Sequence, residues 1–270
     1  MAFSIIQTEL FLPDSQIGNL KTKIKINNTM KSIRTLLLAT VVLLSSSFVY
    51  SQTADEIINK NIDAIGGKEK LSNLKTIYVE STLAVMGQEA PALTYLVNGK
   101  AYKNEIDFGG QKVIQVITDK DGWGVNPMMG AATPTAMTGD ELKANQARLV
   151  VGGLLYDYAA RGNKVELLGR EDVSGTSAYK IKATTKDNVM ITYFIDPATY
   201  YIIKETQTVS VDGQSAETIS TYSNYKKTDY GYVAPYTHEL TLPQGITITI
   251  NANKIEVNKE IDPKIFEMPK

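Results

Sequence analysis

Few groups in this chain could do chemistry. His238 is the only histidine and cysteine is absent, so composition excludes thiol nucleophiles, thiolate metal sites and a histidine triad around a metal. His238 lies in a strand-like run beside Glu239, where a satisfied or exposed strand histidine is expected rather than a catalytic one. Ser-His-Asp catalysis would have to use this residue, yet no glycine-flanked nucleophile elbow occurs. Asp119-Lys120-Asp121-Gly122 resembles part of a calcium loop, but a bidentate Glu at the right distance is missing, and it reads as a hairpin turn. Glu171-Asp172 and Asp196-Pro197 are turn residues by position. Carboxylates from distant strands could converge on a glycosidic bond, but nothing nominates a pair. There is no phosphate-cradling glycine loop and no dinucleotide fingerprint, and no cofactor is expected.

The apolar and aromatic residues are more informative. Pro127 to Tyr158 gathers Met128, Met129, Met137, Leu142, Leu149, Val150, Val151, Leu154, Leu155 and Tyr156, with Gly130, Gly139, Gly152 and Gly153 interspersed. Thr138-Gly139-Asp140-Glu141 can open a helix running through Ala147, and Leu149–Tyr158 is a candidate for a second. An apolar, glycine-jointed insertion between two sets of strands suits a lid over a cavity, and it suits equally a fixed plug on one face of a sheet. Trp123, the sole tryptophan, reads as core before ligand platform. Eight of the fifteen tyrosines crowd 193–236, as expected of a half-exposed sheet.

The elements that would position these residues are mostly strands. Thr53-Ala54-Asp55-Glu56 reads as a capping box, Ile58, Ile62 and Ile65 form one stripe, and Gly66-Gly67 closes the helix. From Lys75 the period becomes two. Ile77, Val79, Leu83 and Val85 share a face, and Tyr102, Asn104, Ile106 and Phe108 alternate up to a Gly109-Gly110 turn into Val113–Thr118. Candidate strands resume at Lys164–Arg170, Ala178–Thr184, Val189–Ile195, Tyr201–Val209, Thr218–Tyr225, Thr237–Leu242 and Ile246–Val257, with Asp212-Gly213 among the turns between them. The pattern predicts a mainly β chain: one strongly curved antiparallel sheet, an incomplete barrel of about eleven strands, with a helical lid.

Met30 begins an export signal. Lys31 and Arg34 precede the apolar run Leu36–Leu44, and Val49-Tyr50-Ser51 offers small residues for cleavage after Ser51. The run is too short for a permanent span. Residues 1–29 then read as a start assigned too early or an extended n-region, residues 30–51 as signal peptide and 52–270 as one domain. Of 28 basic and 29 acidic residues, five and two precede Gln52, which leaves about −4 and argues against nucleic acid or an anionic membrane held by charge. Without cysteine there is neither a disulfide nor a lipid-anchor cysteine, so a soluble periplasmic product without permanent membrane insertion is expected.

Taken together, these segments resemble the LolA-like outer-membrane lipoprotein-sorting proteins. The resemblance runs from the helix ending at Gly66-Gly67 and Leu71 through Gly122-Trp123 with Pro127, then Gly169–Gly175 leading to Ala178-Tyr179-Lys180. It continues in Tyr193–Pro197 with Thr199, then Tyr225, Gly231 and Pro235, and closes on Val257-Asn258, Ile261-Asp262, Phe266 and Pro269. It implies a half-barrel with a helical lid over a hydrophobic cavity that shelters lipoprotein acyl chains or another lipid, and exchange with inner- and outer-membrane sorting components. Carriers of that family hold the lid with an arginine on a cavity-facing strand. Here Arg148, Arg161 and Arg170 are the only arginines after Ser51, and Arg148 lies in the lid, where it could play the reversed part.

The expectation is a non-catalytic carrier. Its ligand contacts would come from Trp123, Met128, Met129, Met137, Leu149, Val151, Leu154 and Leu155, over a floor of Ile106, Phe108 and Val113. An interaction module of an envelope complex and a hydrolase on the same scaffold are the alternatives.

Overall fold

A computed structural model of the protein describes residues 52–211 and 214–269. The export signal expected at 30–51, the segment before it and the Asp212-Gly213 turn lie outside the described residues. Thirteen strands form one antiparallel sheet: β1 (Thr76–Val85), β2 (Gln88–Val97), β3 (Ala101–Phe108), β4 (Gln111–Thr118), β5 (Gly122–Asn126), β6 (Ala131–Ala136), β7 (Lys164–Val173), β8 (Thr176–Thr184), β9 (Met190–Ile195), β10 (Ile202–Val211), β11 (Gln214–Lys227), β12 (Val233–Thr241) and β13 (Thr247–Val257). The order is β6-β5-β4-β3-β2-β1-β13-β12-β11-β10-β9-β8-β7. Every neighbour is also a neighbour in sequence except β1 and β13, whose pairing joins the two halves. The sheet does not close, because β6 and β7 remain edges.

The expected count of about eleven is therefore corrected to thirteen. β2, β5 and β6 escape the period-two signal because proline, glycine and small residues interrupt it. Pro91 in β2 lacks an N–H, and the β2–β3 ladder starts only at Ala92, so no bond is lost there. Pro134 is tolerated in β6 because that strand is an edge.

Alternation divides the side chains between two cores. On the inner face Ile77, Leu96, Ile181, Ile191 and Ile195 gather with α1 (Ala54–Ala64), which buries Ile57, Ile58 and Ile62. A flat sheet would hold β1 and β8 about 29 Å apart, so strands from both halves meeting round one helix requires a strong curl. The capping box closes α1 as its residues dictate: Glu56 N–H donates to Thr53 Oγ1 at 3.2 Å and Thr53 N–H to Glu56 Oε2 at 3.3 Å. At the other end Gly66 N–H reaches Asp63 O and Gly67 N–H reaches Ile62 O, a Schellman ending that needs the positive φ of Gly66 and Gly67. The outer face carries a smaller core of Ala101, Val116, Trp123 and Phe266.

One long connection runs from edge β6 to edge β7 across the inner face. A short helix α2 (Lys68–Asn73) follows α1, and the first part of the connection is α3 (Gly139–Asn145), opened by a second capping box between Thr138 and Glu141 and burying none of its residues. A 3₁₀ turn follows at Gln146–Leu149. The helix expected over Leu149–Tyr158 is absent; this stretch is a succession of turns. Positive φ at Gly152 (+86°), Gly153 (+59°) and Asp157 (+48°) stops helical bonds from propagating.

Candidate functional site

Above β9–β12 the connection does not fill the inner face, and a cavity of about 290 Å³ remains. Its roof is short: Ala144, Ala147, Gly152 and Gly153 carry little or no side chain, and Val150 adds one apolar contact. Ile191, Ile202 and Leu240 line it from the sheet. The roof is tied down on both sides. Gly99 N–H donates to Leu149 O (2.6 Å) and Val151 N–H to Asn98 Oδ1 (3.1 Å) at the β2–β3 turn. Leu154 N–H donates to Tyr193 Oη (3.2 Å), and Gln207 Nε2 to Ala144 O (3.1 Å).

A break in the sheet extends this space. β12 pairs with β13 only over Thr237–Thr241, so the first half of β12 diverges from β13. Pro235 lies there, where its missing N–H leaves no ladder bond unmade. Val233 N–H turns instead to Ile65 O at the end of α1 (3.0 Å). The gap holds a second void of about 220 Å³, lined by Ile77, Val79, Ile250, Ala252 and Ile255 and sharing Tyr232 and Pro235 with the first.

Polar groups collect on one wall. Tyr222 Oη donates to Glu205 Oε1 at 2.7 Å. His238 stacks on Tyr222, with ring centroids 4.8 Å apart, and its Nε2 lies 3.1 Å from Ser220 Oγ. The lone histidine is thus a satisfied strand residue. Burial holds the Glu205 carboxyl above the usual carboxylate range, against the lowering effects of the Tyr222 hydrogen bond and the Arg148 charge. Burial and the charge of Glu205 push the Tyr222 hydroxyl up as well. Arg148 borders the cavity but is itself exposed, donating to Gln115 Oε1 at 3.1 Å and lying 6.0 Å from the Tyr102 ring centre. Among the described residues no group of three His, Asp or Glu is placed to hold a metal ion.

The histidine gives a pH prediction. Burial, helped by the Arg148 charge, lowers His238 from 6.5 to about 4. The unfolded chain therefore takes up the proton first, and this contribution to stability, complete above pH 6.5, is lost as pH falls toward about 4. Glu205 works in the opposite sense, since its raised value favours the folded state as pH falls toward 4.5. His238→Gln should thus be more favourable to stability at pH 5 than at pH 7.5, by about 1–2 kcal/mol. Urea unfolding at the two pH values measures this, and an equal effect at both would contradict it.

The residues singled out in the sequence occupy several places. Trp123 is on the outer face, its Nε1 donating to Phe266 O at 3.0 Å. Met128 and Met129 are exposed in a 3₁₀ turn after β5. Met137 lies over Gly122, where an added Cβ would come within 2.7 Å of its sulfur. Leu149, Val151, Leu154 and Leu155 are buried, the last three in the inner core. Ile106, Phe108 and Val113 are half-buried on β3 and β4, with Ile106 paired to Val113. None of these eleven is among the residues lining the cavity. The lining was missed because its members look ordinary in sequence: alanines and glycines in the connection, and Thr218, Ser220 and Tyr222 alternating as a solvated strand face would.

No protein-family model matches the chain, and no curated protein sequence resembles it significantly. Among solved structures it is similar to a LolA superfamily protein from Nitrosomonas europaea, with 14% identity, TM-score 0.51, and 80% of this chain and 98% of that one covered. A DUF1329 family protein from Desulfovibrio piger is similar at 11% identity and TM-score 0.49, over 80% of this chain and 98% of the other. No helix among the described residues is long and apolar enough to cross a membrane. At these identities the likeness is one of architecture, and the open antiparallel sheet curled round α1 and roofed by a single long connection is a LolA-like fold.

Proposed function

We propose that the protein is a soluble periplasmic carrier that holds an acyl chain, from a lipoprotein or another lipid, between the 144–153 roof and β9–β12, without chemistry. The observation that carries this reading is the cavity, which stays open beneath a hydrogen-bonded roof and adjoins a second, apolar void. Apolar surface withdrawn from water there contributes roughly 25 cal/mol per Å², so one chain needs no signature residue to be retained. At about 290 Å³ the space sits at the lower end of the roughly 300–1,000 Å³ typical of small-molecule sites, which favours one chain at a time. The LolA-like fold and the export signal expected from the sequence at 30–51 support this reading. Hydrolysis by paired carboxylates is less well supported, because Glu205 is the only carboxylate among the residues lining the cavity.

Native mass spectrometry of freshly purified protein tests the proposal. The expected result is a bound species of lipid mass that dissociates on collisional activation. Ligand-free protein that also fails to take up added acyl lipids would count against carriage.

A further inference from the structure

Resting on the carriage reading, we propose that Glu205 makes the cavity selective for cargo whose polar end is a primary ammonium. Glu205 is the one carboxylate of the wall, and one of its oxygens has no donor. Tyr222 donates to Glu205 Oε1, whereas no described side chain donates to Oε2, and no Lys or Arg among the described residues forms an ion pair with this carboxyl. Most other polar groups of the wall already have partners; among the described hydrogen bonds Gln207 Oε1 and Tyr232 Oη have none, and neither carries charge. Gln207 Nε2 is bound to Ala144 O, Thr218 Oγ1 to Gln207 O at 3.2 Å, Tyr225 Oη to Ile202 O at 2.6 Å, and Ser220 to His238.

What Glu205 Oε2 lacks is a donor, and a positive one for preference. A partly buried carboxyl in low dielectric gains most from an ion that supplies both charge and hydrogen bonds. A primary ammonium brings three N–H donors, one for Oε2 and others for nearby hydroxyl oxygens. An alcohol brings one neutral donor, and a carboxylate head would be repelled by Glu205. Arg148, the nearest cation of the connection, cannot fill this role where it stands, being engaged with Gln115 and Tyr102. Ile191, Ile202, Leu240 and Val150 remain to receive the chain.

The test is competition against a fluorescent acyl probe with dodecylamine, dodecanol and dodecanoate, each below its aggregation concentration, on the wild type and on Glu205→Gln. For the wild type at pH 7.5 the amine should displace the probe at about tenfold or more lower concentration than the alcohol, with dodecanoate weakest. Glu205→Gln should bring amine and alcohol within about threefold of each other while leaving the alcohol nearly unchanged. In the wild type the amine's advantage should also shrink as pH falls and Glu205 takes up a proton, a measurement that requires no variant. Equal displacement by all three in the wild type would leave carriage standing and remove the ammonium preference, as would a preference that survives in Glu205→Gln. If the probe itself does not bind, carriage fails and the selectivity falls with it.

Discussion

Leu155→Ala is expected to lower the unfolding free energy by about 3–4 kcal/mol, because the truncation leaves a hole that the inner core cannot collapse into. Leu155 is fully buried, and with Leu154 and Val151 it packs among Ile57, Ile62, Ile181 and Tyr193. The neighbours are held from two sides, α1 by its caps and β8–β9 by the ladder, so relaxation is limited. Equilibrium denaturation measures the effect. A loss below about 1 kcal/mol would mean that this part of the connection is peripheral to the core. For the same reason an Asp at 154 or 155 would bury an unpaired charge and prevent folding, so such variants cannot report on uptake.

Ala147→Trp is expected to abolish acyl-probe binding, by about 50-fold or more, with little loss of stability. Ala147 sits in the 3₁₀ turn of the roof and lines the cavity. An indole is the bulkiest natural side chain, and from this position it would project into the 290 Å³ space. Filling an existing void avoids the strain of overpacking a dense core. Phe108→Trp is the control, since Phe108 lies on β3 and does not line the cavity. Fluorescence titration of both variants, with thermal melts to verify folding, decides the matter. Full binding by a folded Ala147→Trp protein, or loss of binding in Phe108→Trp alone, would move the site toward β3–β4.

The two predictions bear on different parts of one connection, and here the sequence was only partly legible. The Thr53 capping box, the helix start at Thr138, the Gly66-Gly67 ending and the strands with clean alternation could be read directly, because each rests on local chemistry within a few residues. The choice between lid and plug could not. The structure divides the segment: Leu149, Val151, Leu154 and Leu155 are packed into the core, while α3 and Ala147 after it form a cover that buries none of its residues. Apolar content is the same signal for both uses, and only the sheet beneath distinguishes them. Leu149–Tyr158, a candidate helix by sequence, is interrupted because Gly152 and Gly153 adopt left-handed conformations.

The site itself was hidden for a tertiary reason. Glu205 stands between Lys204 and Thr206 as a surface residue would, and its burial depends on how far β10–β12 curl under the roof. The divergence of β12 from β13, which opens the second void, has one local marker in Pro235. That proline reads in sequence as an ordinary strand interruption. Its consequence appears only when β13 leaves to pair with β1.

The most direct test of the central claim is a crystal structure of the protein with an acyl amphiphile brominated near its chain end. The account predicts an anomalous bromine peak in the space enclosed by Ala147, Val150, Ile191 and Leu240, or in the adjoining void beside Ile250, with the head group toward Glu205. A peak confined to the outer face near Trp123, or a fully occupied ligand lying over Ile106 and Phe108 with the roofed cavity empty, would contradict it.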